Sequence, residues 1–218
     1  MTIAGDLAEL LRKGGVELSA ERKAEVERAA RELLDSNIAM RSLQVGEQVP
    51  DFELSGGAGA RIRLSERLRR GAAILTFYRG EWCGHCRSHL VSLERQAGRI
   101  RELGASVLAI SPQTPAHTLA TAQKHDLSFE LLSDPDNSVA RSFGLVYTLP
   151  EAFRWVYEKV GIDLADYNGS TRFELPVPAT YGVVGDRSIV YAFVQPDYTI
   201  RPDPQEIIAV LEKRRGRK

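Results

Sequence analysis

Apolar residues recur at two different periods along this chain, and the change between the periods marks out its elements. Near the start Leu7, Leu10 and Leu11, then Val26, Ala29, Ala30 and Leu33, stand three and four apart among many charges, the spacing of amphipathic helices. Ser19 sits where an N-cap belongs for a helix over about 20 to 36, because its hydroxyl can accept from an N–H that the first turn leaves unpaired. Further on, Ala72-Ala73-Ile74-Leu75-Thr76-Phe77-Tyr78 and Ala105-Ser106-Val107-Leu108-Ala109-Ile110 are unbroken apolar runs, suited to buried strands and too short for ordinary helices. Between them the spacing predicts a helix from Cys83 to about Ile100, carrying Leu90, Leu93 and Ile100. His117 to His125 and Asn137 to Phe143 are two further predicted helices.

Ala179 to Val184 and Ser188 to Phe193 are extended runs on either side of Gly185-Asp186-Arg187, the pattern of an antiparallel hairpin. Asp203 to Lys213, with Ile207, Ile208 and Leu211 on one face, closes the pattern as a helix. Strand, helix, strand, helix favours parallel neighbours, and the hairpin adds antiparallel ones, so the expectation is an α/β protein with a mixed central sheet flanked by helices. Gln44 to Phe52, with Pro50, reads as an irregular entry to that domain. The expected division is an N-terminal helical extension over residues 1–40 and one domain over 41–218. Tyr147 to Val177, with Pro150, Pro176 and Tyr167-Asn168-Gly169-Ser170, is expected to be an irregular surface excursion, a lid or a partner surface.

Charge alters this picture only by exclusion. Lys plus Arg and Asp plus Glu both number 29, so no net field draws the chain to nucleic acid or to an acidic membrane. No apolar run approaches the roughly 18 residues of a spanning helix, and the first residues carry no basic segment leading into an apolar one. A soluble, cytoplasmic protein is expected, with the basic ending from Arg214 to Lys218 as a solvated tail.

The only two cysteines, Cys83 and Cys86, lie three apart just after the first apolar run, in Phe77-Tyr78-Arg79-Gly80-Glu81-Trp82-Cys83-Gly84-His85-Cys86. So close a pair cannot staple distant parts of a fold, which leaves redox chemistry or a metal. A thiol at the start of a helix is activated by the exposed amides there, and a second thiol three positions on can attack a disulfide or sulfenic acid formed on the first. Gly84 allows the backbone close to the sulfurs, and Trp82 can shield one side. His85 can favour the thiolate electrostatically or face solvent. Cys83, Cys86, His85 and His89 hold enough ligand atoms for zinc, but they crowd into seven residues where structural zinc sites draw a second pair from farther away. No metal and no cofactor is expected.

These residues resemble two branches of the thioredoxin-like superfamily. Trp82-Cys83-Gly84-His85-Cys86 is similar to the active motif of thioredoxins and, in its Gly-His spacer, to that of protein disulfide isomerase domains. Phe77-Tyr78-Arg79-Gly80 before the dithiol, Pro50-Asp51-Phe52, Leu132-Ser133-Asp134-Pro135 and Pro178-Ala179-Thr180-Tyr181 fall in the order found in peroxiredoxin-like proteins of the AhpC/TSA group. That resemblance runs from about Val45 to Leu211 and implies a thioredoxin-like fold.

The two branches imply opposite roles for the sulfurs. By the thioredoxin pattern Cys83 attacks and Cys86 resolves; by the peroxiredoxin pattern Cys86 is peroxidatic and Cys83 replaces a threonine, becoming a nearby resolving thiol. The buried acid of thioredoxins is Phe77 here, and the arginine that peroxiredoxins carry before their Thr/Ser-aromatic segment is Pro178. Pro178 resembles the cis-proline beside a thioredoxin dithiol and is expected to be cis, a rim for a docking disulfide. Arg79 is a candidate substitute for the missing arginine, or a partner of Glu81.

The implied activity is a thiol peroxidase acting on hydrogen peroxide or organic hydroperoxides through a sulfenic acid and a Cys83–Cys86 disulfide. An external dithiol such as a thioredoxin-like protein would then reduce that disulfide. A disulfide reductase or isomerase with Cys83 as nucleophile, and a redox-sensing binding protein, stand as alternatives. A homodimer is also compatible with the resemblance.

Overall fold

The protein is described over residues 2–215 by a computed structural model, and its first helix, α1 (Ile3–Lys13), begins where the Thr2 side chain accepts from the Gly5 N–H at 3.1 Å. In α2 (Ala20–Leu34) Ser19 caps as its position predicts, accepting from the Arg22 N–H at 3.2 Å. A single turn, α3 (Ile38–Arg41), completes the N-terminal helical segment. There follow the strands β1 (Glu53–Gly56) and β2 (Arg61–Arg63), then α4 (Leu64–Leu68) and β3 (Ala72–Phe77).

The helix expected from Cys83 to Ile100 is two, α5 (Gly84–Arg95) and α6 (Ala97–Glu102). They part at Gln96, whose N–H bonds the Leu93 carbonyl and tightens the last turn of α5. Next come β4 (Ala105–Ser111), α7 (Pro115–Lys124), β5 (Glu130–Ser133) and α8 (Ser138–Ser142). Asp134 holds the start of α8, accepting from the Ala140 N–H at 2.9 Å and the Val139 N–H at 3.2 Å.

The segment expected to be irregular is mostly regular. It holds β6 (Val146–Thr148), α9 (Glu151–Lys159), α10 (Leu164–Asn168) and β7 (Glu174–Pro176), with β6 and β7 paired as a separate antiparallel ribbon. The reason is legible afterwards: Phe153, Val156 and Tyr157 have helical spacing and are buried, and Pro150 is the N-cap rather than a breaker. The chain ends in β8 (Ala179–Val183), β9 (Ile189–Val194) and α11 (Pro204–Arg215). The last three residues of the basic ending, 216–218, lie outside the described residues.

The main sheet has seven strands in the order β2-β1-β5-β4-β3-β8-β9. β3, β4 and β5 are parallel, while β1, β8 and β9 run antiparallel to their neighbours, the thioredoxin-like mixed sheet. Central β3 pairs on both sides, Phe77 lying opposite Ile110 of β4 and Ala179 of β8. Its far end therefore has a fixed position, and the chain leaves it directly into the dithiol segment. Beneath that point Phe77 packs on Phe143 and Tyr181, with ring centroids 4.9 and 6.3 Å away, so apolar contact fills the place of a thioredoxin acid. No helix among the described residues is long and apolar enough to cross a membrane.

The N-terminal helices are part of the same apolar cluster as the sheet. α1 and α2 pack on each other and on α9, with Ile3, Leu7 and Leu11 fully buried. Each such side chain contributes about 1.5–3 kcal/mol, whereas the exposed ion pairs of Glu9 with Arg12 and Lys13 are screened by solvent and contribute little. Apolar packing therefore fixes α1 in place. Leu7→Ala is expected to lower unfolding free energy in urea by about 2–5 kcal/mol, whereas Met40→Ala, at an exposed position, should change it by less than about 0.5 kcal/mol. A Leu7→Ala loss no greater than that of Met40→Ala would show α1 to be detached from the core.

Candidate active site

Between β3 and α5 the chain makes a tight turn through residues 78–83. Gly80 has φ +150°, and a Cβ there would lie 2.3 Å from the Trp82 Nε1, so only glycine lets the Trp82 indole fold back over the turn. The Cys83 N–H returns to the Gly80 carbonyl at 3.2 Å, and Cys83 is the N-cap residue of α5, its carbonyl accepting from the Arg87 N–H at 3.0 Å. Gly84 and His85 begin the helix, which places Cys86 in the first turn with its sulfur against the preceding loop.

Both thiols are free and buried, but they are not equivalent. Cys86 Sγ accepts from the Arg79 backbone N–H at 3.4 Å and from Arg201 Nη2 at 3.1 Å. Cys83 Sγ accepts from Arg79 Nη1 at 3.8 Å and is hydrogen-bonded to Cys86. Burial pushes the Cys86 thiol up, yet the Cys83 hydrogen bond, the charges of Arg201 and Arg79, and the Arg79 amide outweigh it and hold Cys86 well below the usual thiol range. The Cys83 thiol moves the other way, raised by its hydrogen bond to Cys86 and by burial. In the coupled pair the thiolate is therefore favoured on Cys86 and disfavoured on Cys83.

Arg79 is fully buried and lies in an aromatic cage. Its guanidinium carbon is 3.8 Å from the Tyr198 ring centroid, 4.8 Å from that of Trp82 and 5.6 Å from that of Tyr157. Its Nη2 donates to the Tyr157 hydroxyl. Among the described residues no carboxylate forms an ion pair with it. Glu81, the partner considered from sequence, is held instead by Lys124 Nζ at 2.8 Å, His125 Nε2 at 3.3 Å and Arg87 Nη1 at 3.9 Å.

The two histidines are engaged separately. His85 Nε2 meets Asp6 Oδ1 of α1 at 2.8 Å, and His89 Nε2 lies 3.4 Å from the Thr180 hydroxyl. Burial, assisted by the charge of Arg201, lowers the His89 pKa to about 4, so its ring is neutral near pH 7. His85 and His89 thus have partners away from the dithiol, and among the described residues no three His, Cys, Asp or Glu side chains gather as a metal site.

Pro178 departs from expectation. Its peptide bond is trans, and the residue is buried rather than a rim. Both sides of that bond are already used in extended pairing: the Val177 N–H bonds the Leu145 carbonyl at 2.9 Å, and the Pro178 carbonyl accepts from the Gln195 N–H at 3.2 Å. The arginine that Pro178 displaces in the family pattern is supplied from elsewhere. Arg201, in the loop after β9, donates through Nη1 to the Tyr198 carbonyl and, at 2.8 Å, to the Ile200 carbonyl, leaving Nη2 on the sulfur. Nothing in Ile200-Arg201-Pro202 announces that role, and Tyr157 and Tyr198 were equally silent.

A cleft of about 470 Å³ opens over the site, lined by Asp6 and Leu10 of α1 and by Trp82, Cys83, Tyr157 and Ile162 among others. Cys83 borders it, whereas Cys86 lies behind.

Residues 45–192 match the family model of the AhpC/TSA family. The chain belongs to the AhpC/TSA family. It is 34% identical over 106 residues to a putative peroxiredoxin bcp of Haemophilus influenzae, spanning 49% of this chain and 68% of that protein. With the peroxiredoxin Bcp of Bacillus subtilis it shares 26% over 126 residues, 58% of this chain and 78% of the other. The solved peroxidoxin BcpB from Mycobacterium tuberculosis superposes with TM-score 0.62 at 22% identity, covering 78% of this chain and 97% of that one, a likeness of fold. As a member of the AhpC/TSA family the chain is a peroxiredoxin-like oxidoreductase. The matched segment begins after α1–α3 and ends before Arg201.

Because a lowered pKa keeps the thiolate present to lower pH, removing the charge at 3.1 Å must move its titration upward. In a Cys83→Ser background, Arg201→Met is expected to raise the Cys86 midpoint by about one unit or more, read from thiolate ultraviolet absorbance against pH. An unmoved midpoint would remove Arg201 from the account of the site.

Proposed function

We propose that the protein is a thiol-dependent peroxidase that reduces hydrogen peroxide or organic hydroperoxides, with Cys86 as the attacking thiolate and Cys83 as the resolving thiol. The observation that carries this reading is the setting of Cys86, a buried sulfur that accepts from both Arg201 and the Arg79 amide. The printed names of the relatives, peroxiredoxins of the Bcp and Q types, support the same chemistry.

Peroxide enters by the cleft that Cys83 borders and passes Cys83 to reach the buried Cys86. The Cys86 thiolate attacks one peroxide oxygen and the O–O bond breaks; the other oxygen leaves as an alkoxide or hydroxide, takes a proton and departs as alcohol or water. Arg201, already on the sulfur, stabilises the charge that develops on that leaving oxygen. Cys86 is now a sulfenic acid. Cys83 attacks its sulfur, water leaves, and a Cys83–Cys86 disulfide forms, which an external thiol returns to the dithiol state with two electrons. Arg79 favours the Cys83 thiolate needed for that second attack.

The other sequence-predicted residues act through these groups. Trp82 covers Arg79 and His85 is tied to Asp6, whereas Gly84 is not needed for room, since a Cβ there would meet only Arg87 Nη2 at 3.8 Å. Pro178 anchors the crossing into β8. The division into a helical extension over 1–40 and a redox domain over 41–218 belongs to this proposal, since both sulfurs, Arg79 and Arg201 lie in the second part.

A disulfide reductase with Cys83 as nucleophile is favoured by one observation, that Cys83 borders the cleft. It is disfavoured by the raised Cys83 thiol.

The deciding measurement is stopped-flow oxidation by peroxide, with mass analysis of the first product. Cys83→Ser is expected to form a sulfenic acid on Cys86, at least about a hundredfold faster than free cysteine reacts. Cys86→Ser should be inert, and Arg201→Met slower by on the order of a hundredfold. A first sulfenic acid on Cys83, or a rate equal to that of free thiol, would overturn the proposal.

A further inference from the structure

We propose that α1 selects the reductant, and that the class it admits to the oxidised site is a low-molecular-weight thiol rather than a folded dithiol protein. This rests on the Cys83–Cys86 cycle proposed above and narrows the donor that the family resemblance implies.

Asp6, Glu9, Leu10 and Lys13 of α1 form one wall of the cleft over Cys83, facing Arg79, Trp82, Tyr157 and Ile162. Asp6 closes that wall onto the dithiol itself through its 2.8 Å contact with His85, the residue between the cysteines. None of these α1 residues belongs to the segment matched by the AhpC/TSA family. The wall is fixed, because Ile3, Leu7 and Leu11 anchor the adjacent face of the helix and are 1% exposed or less.

Behind the wall Cys83 is 5% exposed and Cys86 is 0% exposed. A folded dithiol protein carries its reactive sulfur on a broad surface, and the α1 rim meets that surface before the two sulfurs can line up. A thiol on a flexible stem enters without that collision. The cleft, about 470 Å³, falls within the range of about 300–1,000 Å³ common for small-molecule sites. Its lining carries both signs of charge, Asp6 and Glu9 with Lys13 and Arg87, besides apolar Leu10, Trp82 and Ile162, and each of these charges has a partner within the protein that a ligand would share. That composition suits a small thiol that carries both carboxylate and ammonium groups.

The chemistry balances with two such thiols. The first thiolate attacks Cys83 Sγ, the Cys83–Cys86 bond breaks, and the electron pair leaves on Cys86, where Arg201 and the Arg79 amide hold it. The lower the pKa of a leaving thiol, the faster it departs. The second thiolate attacks the sulfur of the bound small thiol, releases a small disulfide, and leaves Cys83 to take a proton.

The test starts from full-length protein oxidised to the disulfide with diamide, so that reduction is measured without peroxide. Reduction is followed with glutathione, 2-mercaptoethanol, dithiothreitol and reduced thioredoxin. Thioredoxin is expected to react no faster than an equal concentration of dithiothreitol, and a faster reaction would overturn the proposal. Leu10→Trp, which narrows the cleft from α1, should lower the ratio of glutathione to 2-mercaptoethanol rate constants by about fivefold or more. An unchanged ratio would show that α1 does not select. A misfolded variant would be recognised by equal loss with both thiols, and the wild-type comparison of thioredoxin with dithiothreitol then decides alone. If peroxide fails to oxidise the reduced enzyme while these results hold, the peroxidase reading falls and the selection by α1 stands.

Discussion

The burial of the Cys86 sulfur against two hydrogen-bond donors is the constraint on which the site is built. Desolvation alone would make that thiol a poor acid, and only specific donors reverse the sign of the effect. The chain provides them from two distant places: the Arg79 amide, at the exit of β3, and the Arg201 guanidinium, from the loop after β9. Both donors have their positions set by the sheet. β3 is pinned between β4 and β8, and β9 pairs with β8, so the exit of β3 and the loop after β9 are placed by the same run of strands.

Arg79 poses the complementary problem, a buried cation with no carboxylate partner among the described residues. Its compensation is spread over the rings of Tyr198, Trp82 and Tyr157, the Tyr157 hydroxyl and the Cys83 sulfur. Tyr157 comes from α9, which is also the surface on which α1 and α2 pack. The helices outside the family-matched segment therefore reach the chemistry by two routes, through α9 to Arg79 and through Asp6 to His85. A site that looks local in sequence is held together by the whole width of the molecule.

Much of the fold could be read from periodicity, and the exceptions have physical causes. The runs that became β3 and β4 were legible because strands covered on both faces are continuously apolar. β5, with only Leu131 and Leu132 as apolar residues, was too short to stand out, and β1 alternates over four residues only. The α9 stripe of Phe153, Val156 and Tyr157 was overlooked because Pro150 was taken as a breaker when it serves as an N-cap. At the site, the cysteines and their helix-start setting were visible because adjacent residues make them. The trans geometry and burial of Pro178 were not, since they follow from pairing with Leu145 and Gln195.

Sequence by itself determined the dithiol, its place between a strand and a helix, and the order of segments that carries the family resemblance, because these depend on local spacing. It left open which sulfur holds the charge, for Cys83 and Cys86 share the same helix start and the same neighbours along the chain. Tertiary structure favours Cys86 by bringing Arg201 to it across 115 positions of sequence, and sets Cys83 at the cleft by laying α1 beside it. Electrostatic stabilisation and access both fall off over a few ångströms in space, and neither is bounded by distance along the chain.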